Sequence, residues 1–433
     1  AEVLRTAGYQ TYMTGKWHVG LKEKFMWPKQ RGFDRYYGIL EGSSNFFRPQ
    51  ESKKLMLDNE PQGPQSGDYY TTDAFTEYAM QFISEGDPEK PFFLYLAYTA
   101  PHWPLHVPKE EFDKFRGKYL KGWDKLREER WQRQLEMGIV KEKWGLSPRD
   151  PDVPAWDTLS DEDKDDLDFR MACYAGMIHR VDTNIGKLVA QLEEAGQLDN
   201  TLILFLSDNG GCPEPWNDRV PNGRAHLGGH PVAGINHWDY DKMGAFTYGQ
   251  GWANASNTPF REFKTQSHEG GVATPLIAHF PQGIAMDPGK IVEAPAHIID
   301  IMATVVDLSG ADYPEVYKGN WIHQYQGKSL IPIFQTGARR PHEWLFWEHV
   351  HEGAVRTGDW KAVFRQVDDE WYLYNLAEDR NEIHDLSTEL PQILKPLQDK
   401  WWEWAVVNGV EPMTYSLLKK GKSTEPSPNP HKN

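Results

Sequence analysis

Lys16 and His18 stand two apart in the run Gly8-Tyr-Gln-Thr-Tyr-Met-Thr-Gly-Lys-Trp-His-Val-Gly20. In an extended segment, residues two apart point to the same side. A fixed cation and a titratable imidazole can then address one anionic group, with Gly15 and Gly20 allowing a close approach. Asp208-Asn209 closes the apolar run 200–206 and pairs a carboxylate with an amide carbonyl. Such hard oxygen donors suit calcium or magnesium rather than a thiophilic metal. His102 follows Pro101 at the end of the apolar run 91–98, where an imidazole can serve as acid or base near neutral pH. Lys264 precedes Glu269-Gly270-Gly271 by five residues and offers a compact positive charge. A last cluster, His226, His230 and His237 with Asp239, has spacings that suit a metal, in a Gly- and Pro-rich setting that fits a surface loop equally well. Taken singly, each group has an ordinary structural reading: Asp, Asn and Gly are turn residues, and a lysine before two glycines is a solvated loop.

Several elements must position these groups. Residues 1–7 read as a short helix with Gly8 at its C-cap, leading into a strand at 12–13. Residues 22–67 are loop-like. Residues 72–84 carry apolar side chains at helical spacing. The runs 91–98 and 201–206 are nearly continuous in apolar residues, the mark of strands buried on both faces of a parallel sheet. Between them, 110–166 reads as a peripheral helical insertion and 169–195 as a long helix. A loop-rich insertion at 214–255, a strand at 275–280 and a helix at 297–309 follow. This order predicts an open α/β sheet, whose ligands gather at the carboxyl ends of its strands. The texture changes near Pro314. Segments 343–349, 353–365 and 371–376 read as an antiparallel meander, and 392–408 as a helix with a Trp401-Trp402-Trp404 face packed on it. The tail from 419 is charged and Pro-rich. The expected division is 1–313, 314–418 and a disordered 419–433.

Composition narrows the function. The chain has 433 residues and a net charge of -16, which argues against non-specific binding to nucleic acid or an anionic membrane. Its two cysteines, Cys173 and Cys212, build no disulfide framework. No apolar run reaches the length of a membrane span, and no signal peptide is visible.

Gly-Lys-Trp-His-x-Gly, then strand plus Pro-His, then strand plus Ser-Asp-Asn-Gly, then Lys with Glu-Gly-Gly five residues on, resembles in its order the type I sulfatases. The resemblance extends to about Leu386, through Ala354-Val-Arg-Thr-Gly-Asp-Trp-Lys361 and Leu373-Tyr-Asn-Leu-Ala-Glu-Asp379. It implies the alkaline phosphatase-like fold, a large mixed sheet between helices followed by a smaller C-terminal antiparallel sheet plus helix. It also implies hydrolysis of aryl or carbohydrate sulfates through a formylglycine nucleophile and calcium, with magnesium as the alternative ion. By position, Asp208 and Asn209 match metal ligands of the family. Lys16 matches the lysine that holds the formylglycine and sulfate, and His18 the histidine that takes a proton when the intermediate collapses. His102 and Lys264 match the pair that binds sulfate and assists the leaving oxygen. Trp17 and Trp103, beside these positions, are candidates for substrate contact, and His268 stands where relatives carry an aromatic or hydroxyl residue.

Two family elements are missing from the sequence. There is no Cys-x-Pro-Ser-Arg, the motif in which formylglycine is made, and no Asp-Asp pair in the N-terminal setting; Asp165-Asp166 and Asp368-Asp369 lie elsewhere. The reading is therefore of a sulfatase whose N-terminal part, with the nucleophile, lies outside this chain, so that the chain by itself is inactive and exposes an apolar sheet edge. A maturation enzyme would act on the full-length protein, and the family points to the periplasm or secretion. The alternatives are a phosphodiesterase or phosphonate hydrolase of the same superfamily, or a non-catalytic anion- or carbohydrate-binding relative.

Overall fold

The computed structural model describes residues 1–49, 54–214 and 246–410. Helix α1 (Glu2–Thr6) stops where Gly8 takes φ +84° and its N–H reaches the Arg5 carbonyl at 3.1 Å. The chain then enters β1 (Gln10–Lys16), longer than the two residues read from the sequence. β1 is flanked in parallel by β2 (Arg35–Ile39) and β5 (Phe92–Ala97), while β3 (Leu55–Leu57) and β4 (Glu60–Pro61) extend the sheet antiparallel, in the order β4-β3-β2-β1-β5. The loop reading of 22–67 is thus corrected. β2 is short and interrupted by Gly38, so no period shows, yet Tyr36, Tyr37 and Ile39 are fully enclosed.

Glycine is required where these backbones converge. A Cβ on Gly38 would lie 1.8 Å from the Gly15 carbonyl oxygen, and one on Gly15 would lie 2.0 Å from that of Ala97. The strand ends that carry Lys16 and approach His102 are thereby drawn together.

Helix α2 (Thr71–Glu85) lays Phe75, Ala79 and Phe82 against the sheet beside Tyr12 and Tyr37. The insertion is not peripheral. After α3 (Lys109–Asp113), helix α4 (Gly122–Glu136) buries Trp123 edge-on to Trp156 and Trp252, with ring centres 4.8 and 5.5 Å away, in the largest apolar cluster. The long helix α5 (Asp161–Glu194) begins eight residues before the predicted 169, because Ser160 caps it by accepting the Asp163 N–H. Charged residues hide its first turns: Asp166 pairs with Arg170 at 2.8 Å, and Asp168 accepts the Gly117 and Tyr119 N–H groups.

Strand β6 (Ile203–Leu206) pairs antiparallel with β7 (Leu276–His279) in a separate ribbon, with α6 (Gln250–Ser256) and α7 (Glu269–Val272) between them in sequence. Next come α8 (Asp300–Ser309), the small hairpin β8 (Val316–Tyr317) and β9 (Asn320–Trp321), and α9 (Ile331–Thr336). The predicted meander is β10 (Leu345–His349), β11 (Glu352–Thr357), β12 (Trp360–Arg365) and β13 (Glu370–Asn375), paired in that order. Helix α10 (Pro391–Val407) covers it through Leu394, Leu397 and the fully buried Trp401. The architecture is the alkaline phosphatase-like fold, with a large mixed sheet, helices and a smaller antiparallel sheet plus helix.

Burial of β5 and β6 differs from expectation. β5 pairs with β1 alone and β6 with β7 alone, leaving Tyr95 50%, Phe205 47% and Ile277 60% exposed. Their apolar composition marks strands meant for cover, and nothing among the described residues covers these faces. Unpaired apolar edges drive strand-to-strand association. The 433-residue chain should therefore self-associate with rising concentration in sedimentation velocity, and the double change F205K/I277K should shift it toward monomer; a wild-type chain monomeric throughout would refute this.

Candidate active site

The ladder between β1 and β2 continues past the strand, with the Trp17 N–H on the Ile39 carbonyl at 2.9 Å and the His18 N–H on that of Leu40 at 3.1 Å. His18 then turns to φ +50°, and its ring lies so close to Gly42 that a Cβ there would sit 2.7 Å from Cε1. Lys16 and His18 line one large cleft of about 2400 Å³. Trp17 takes the opposite side: its indole N–H is shared between the Gly20 and Met26 carbonyls, at 3.1 and 3.0 Å, and its ring packs edge-on to Phe33. It is partly buried against the core and is not among the residues lining the cleft, because alternation along the chain turns it away from Lys16 and His18.

From the end of β5, His102 and Trp103 line the same cleft. His102 Nδ1 lies 2.7 Å from the Trp103 carbonyl, an acceptor, so Nδ1 carries the proton and Nε2 is the basic ring atom. Burial lowers the His102 pKa, its bond to the Trp103 carbonyl works against this, and the Lys264 and Lys16 charges lower it further. Burial likewise lowers the pKa of Lys16, where the attraction of Asp208 opposes the repulsion of Lys264.

The Asp208-Asn209 turn and the Lys264 loop are knitted by main chain. The Gly210 N–H reaches the Gly271 carbonyl at 3.0 Å, and the Lys264 N–H reaches that of Gly211 at 3.0 Å. A Cβ on Gly210 would meet the Gly270 carbonyl oxygen at 1.7 Å, which accounts for glycine in both motifs. Asn257 seals the junction, accepting the Gly211 N–H at 2.7 Å and donating to the Glu262 carbonyl at 2.8 Å. Asn209 spends its amide nitrogen on the Gly210 carbonyl at 2.8 Å, which leaves its oxygen as the remaining polar atom. Asp208 and Asn209 therefore offer two hard oxygen donors at the cleft, a partial shell for an ion that takes six to eight. Among the described residues, no group of three or more His, Cys, Asp or Glu completes it.

Glu214 went unnoticed in the sequence. Its carboxylate accepts the Trp103 indole N–H at 3.3 Å and lies 3.8 Å from the Lys264 ammonium. Equally unforeseen is the support behind the Lys264 loop: the fully buried Lys361 of β12 sits 2.9 Å from Glu269 and 2.8 Å from Glu382. Glu382 also accepts the Glu269 N–H at 2.6 Å, and Arg380 contacts Glu269 at 3.1 Å. No local pattern reveals the contacts of Glu269, since it lies 92 residues from Lys361 and 113 from Glu382. His268 belongs to this layer and not to the cleft. It is fully buried beside Tyr374, neither ring nitrogen has a hydrogen bond among the described residues, and burial with nearby Arg261, Lys361 and Arg365 drives its pKa far down. His226, His230, His237 and Asp239 lie outside the described residues.

The sign of the His102 shift is testable. A base whose folded pKa is depressed favours the folded state above its unfolded pKa and loses that advantage as pH falls through it. In an NMR titration His102 should have its midpoint below 6.5, and Lys264→Met should raise it by removing a neighbouring positive charge. An unchanged or lower midpoint in the variant would contradict the described geometry.

Comparison with known proteins identifies the family. The Sulfatase family profile matches residues 1–311, and that of the N-sulphoglucosamine sulphohydrolase C-terminal region matches 263–404. An uncharacterized sulfatase of Schizosaccharomyces pombe is 31% identical over 432 residues, covering 94% of this chain and 76% of its own. An arylsulfatase of Klebsiella aerogenes is 30% identical over 339 residues, 72% of this chain and 68% of its own. The solved structure of BT4656 superposes with a TM-score of 0.55 at 22% identity, covering 98% of this chain and 83% of that one. The chain belongs to the sulfatase family.

Proposed function

We propose that this chain carries the sulfate-binding and proton-transfer half of a sulfatase site acting on sulfated carbohydrates. The carrying observation is the convergence of Lys16, His18, His102, Lys264, Asp208 and Asn209 on one cleft at the carboxyl ends of β1, β5 and β6. Two ammonium groups, Lys16 and Lys264, line the cleft and repel each other, and burial lowers the pKa of Lys16, so an entering sulfate ester relieves their repulsion. Lys16 and Lys264 hold the sulfate oxygens and stabilise the charge that grows on them. The anion also offsets the cations that depress His102, so its imidazole regains basicity and, once protonated, donates to the leaving alcohol oxygen. His18, held over Gly42, is the second proton carrier. Asp208 and Asn209 would hold calcium, or magnesium, which supplies Lewis-acid polarisation of the sulfate when bound.

No Cys-x-Pro-Ser-Arg occurs in the 433 residues. Cys173 lies inside α5 with its thiol pKa pushed up by burial, and Cys212 is raised for the same reason, so neither is an activated nucleophile. On this reading the formylglycine of the family would be supplied by residues outside these 433, and a separate maturation enzyme would make it. BT4656 acts on D-glucosamine-2-N,6-O-disulfate, and the profile match at 263–404 bears a related name; both support a sulfated carbohydrate as substrate. A periplasmic or secreted location goes with the same family reading.

Calorimetric titration with inorganic sulfate is the test. Lys16→Ala and Lys264→Ala should each weaken binding by about tenfold, the scale of one charge-assisted hydrogen bond. Undiminished affinity in both would overturn the assignment. In parallel, the 433-residue chain should show no turnover of p-nitrophenyl sulfate; measurable turnover would refute the placement of the nucleophile.

A further inference from the structure

One face of α4 carries Trp123, Arg127, Arg130 and Gln134, at helical spacings of four, three and four. Three of these side chains are tied to protein. The Trp123 indole N–H donates to the Pro154 carbonyl at 3.0 Å, Arg127 donates to the Ser147 carbonyl at 2.7 Å, and Gln134 donates to the Thr258 carbonyl at 2.9 Å. Arg130 has no hydrogen-bond or ion-pair partner among the described residues, and it lines the same cleft as Lys264 and His102. Three other cleft cations are matched, Lys141 by Glu293 at 2.7 Å, Lys143 by Glu378 at 2.9 Å and Arg380 by Glu269, whereas Lys290 and Arg356 have no carboxylate partner among the described residues.

Its place relative to the sulfate-binding groups follows from the wall between them. Arg130 and Tyr174 both line the cleft, and the Tyr174 ring stacks on Tyr248 at 4.6 Å and 18°. The Tyr248 hydroxyl crowds Gly211, where a Cβ would come within 2.7 Å, and the Gly211 carbonyl takes the Lys264 N–H. One wall of the cleft thus presents the Lys264 cation, a pair of stacked tyrosines, and then a second cation. Arg130 is exposed and has no counter-ion among the described residues, so the donors of its guanidinium fork stand open to a bidentate oxyanion.

We propose that Arg130 is a specificity-determining residue that binds a second oxyanion, sulfate or carboxylate, on the same sulfated sugar whose reacting sulfate sits at Lys16 and Lys264. This rests on the sulfate-binding reading above. It commits the substrate to a doubly anionic saccharide, and it gives the insertion that carries α4 a direct part in selectivity. The rigidity of α4, anchored by Trp123, Arg127 and Gln134, fixes the distance between the two anion points.

The test titrates the full chain with three probes: a hexosamine monosulfate, its disulfate, and a sulfated uronic acid. The wild-type chain should prefer a doubly anionic probe by about tenfold, R130A should abolish that preference, and R130K should retain part of it, with melting temperatures as the folding control. Which of the disulfate and the uronic acid gains identifies the second group as sulfate or carboxylate. A wild-type chain without preference, or an R130A variant that melts normally and keeps it, overturns the proposal. Lys264→Ala should weaken all three probes. Should none bind to the wild-type chain, the sulfate-binding reading itself fails, and the subsite with it.

Discussion

Lys361 is enclosed on every side, and two carboxylates share it. An ammonium without water is tolerable only when paired and hydrogen-bonded, and removing one member of such a group strands the others. Lys361 comes from the antiparallel sheet, Glu382 from the segment after its last strand, and Glu269 from the start of α7, a few residues past Lys264. The C-terminal sheet is therefore bound to the loop that presents a candidate sulfate-binding lysine. Burial by itself would raise the pKa of Glu269, but Lys361 and Arg380 hold it well down, so it stays charged. The position of Lys264 depends on this closed ionic group as much as on its own loop.

Sheet and cleft follow from comparably tight constraints. Gly15 and Gly38 let three backbones meet at the end of β1, and Gly210 lets the Asp208 turn lie on the Lys264 loop. Where these contacts hold, positive groups stand together inside a chain whose net charge is -16. The overall charge disfavours polyanions, while on the proposed reading the local cations would attract one small anion. The global sign and the local sign serve different purposes and need not agree.

Much of this was legible in the sequence. Periodicity placed α2, the meander and α10, and the ordered motifs singled out Lys16, His18, His102 and Asp208 beside strands and Lys264 in a loop, all of which line one cleft. The misses have distinct physical origins. β2 was hidden by its shortness and a central glycine. The early turns of α5 were hidden because their buried residues are aspartates satisfied by arginine and main-chain N–H groups. The Trp123–Trp156–Trp252 cluster was read as peripheral because its charged neighbours outnumber it. Trp17 lies off the cleft through the same alternation that places Lys16 and His18, and His268 lies off it among neighbours that are far away in the chain. Glu214 and Arg130 carry no motif at all; only folding shows what each of them faces.

Glu214 has one more implication. With its carboxylate near the Lys264 ammonium and accepting the Trp103 indole N–H, the cleft carries an anion of its own beside that lysine. On the sulfate-binding reading, an arriving anion would contend with that carboxylate for the same lysine, and like-charge repulsion would push the carboxylate away. Its departure would release the indole N–H at the same moment, so a hydrogen-bond donor would become available to the guest as it arrives. The cleft would thereby exchange an internal anion at Lys264 for an external one.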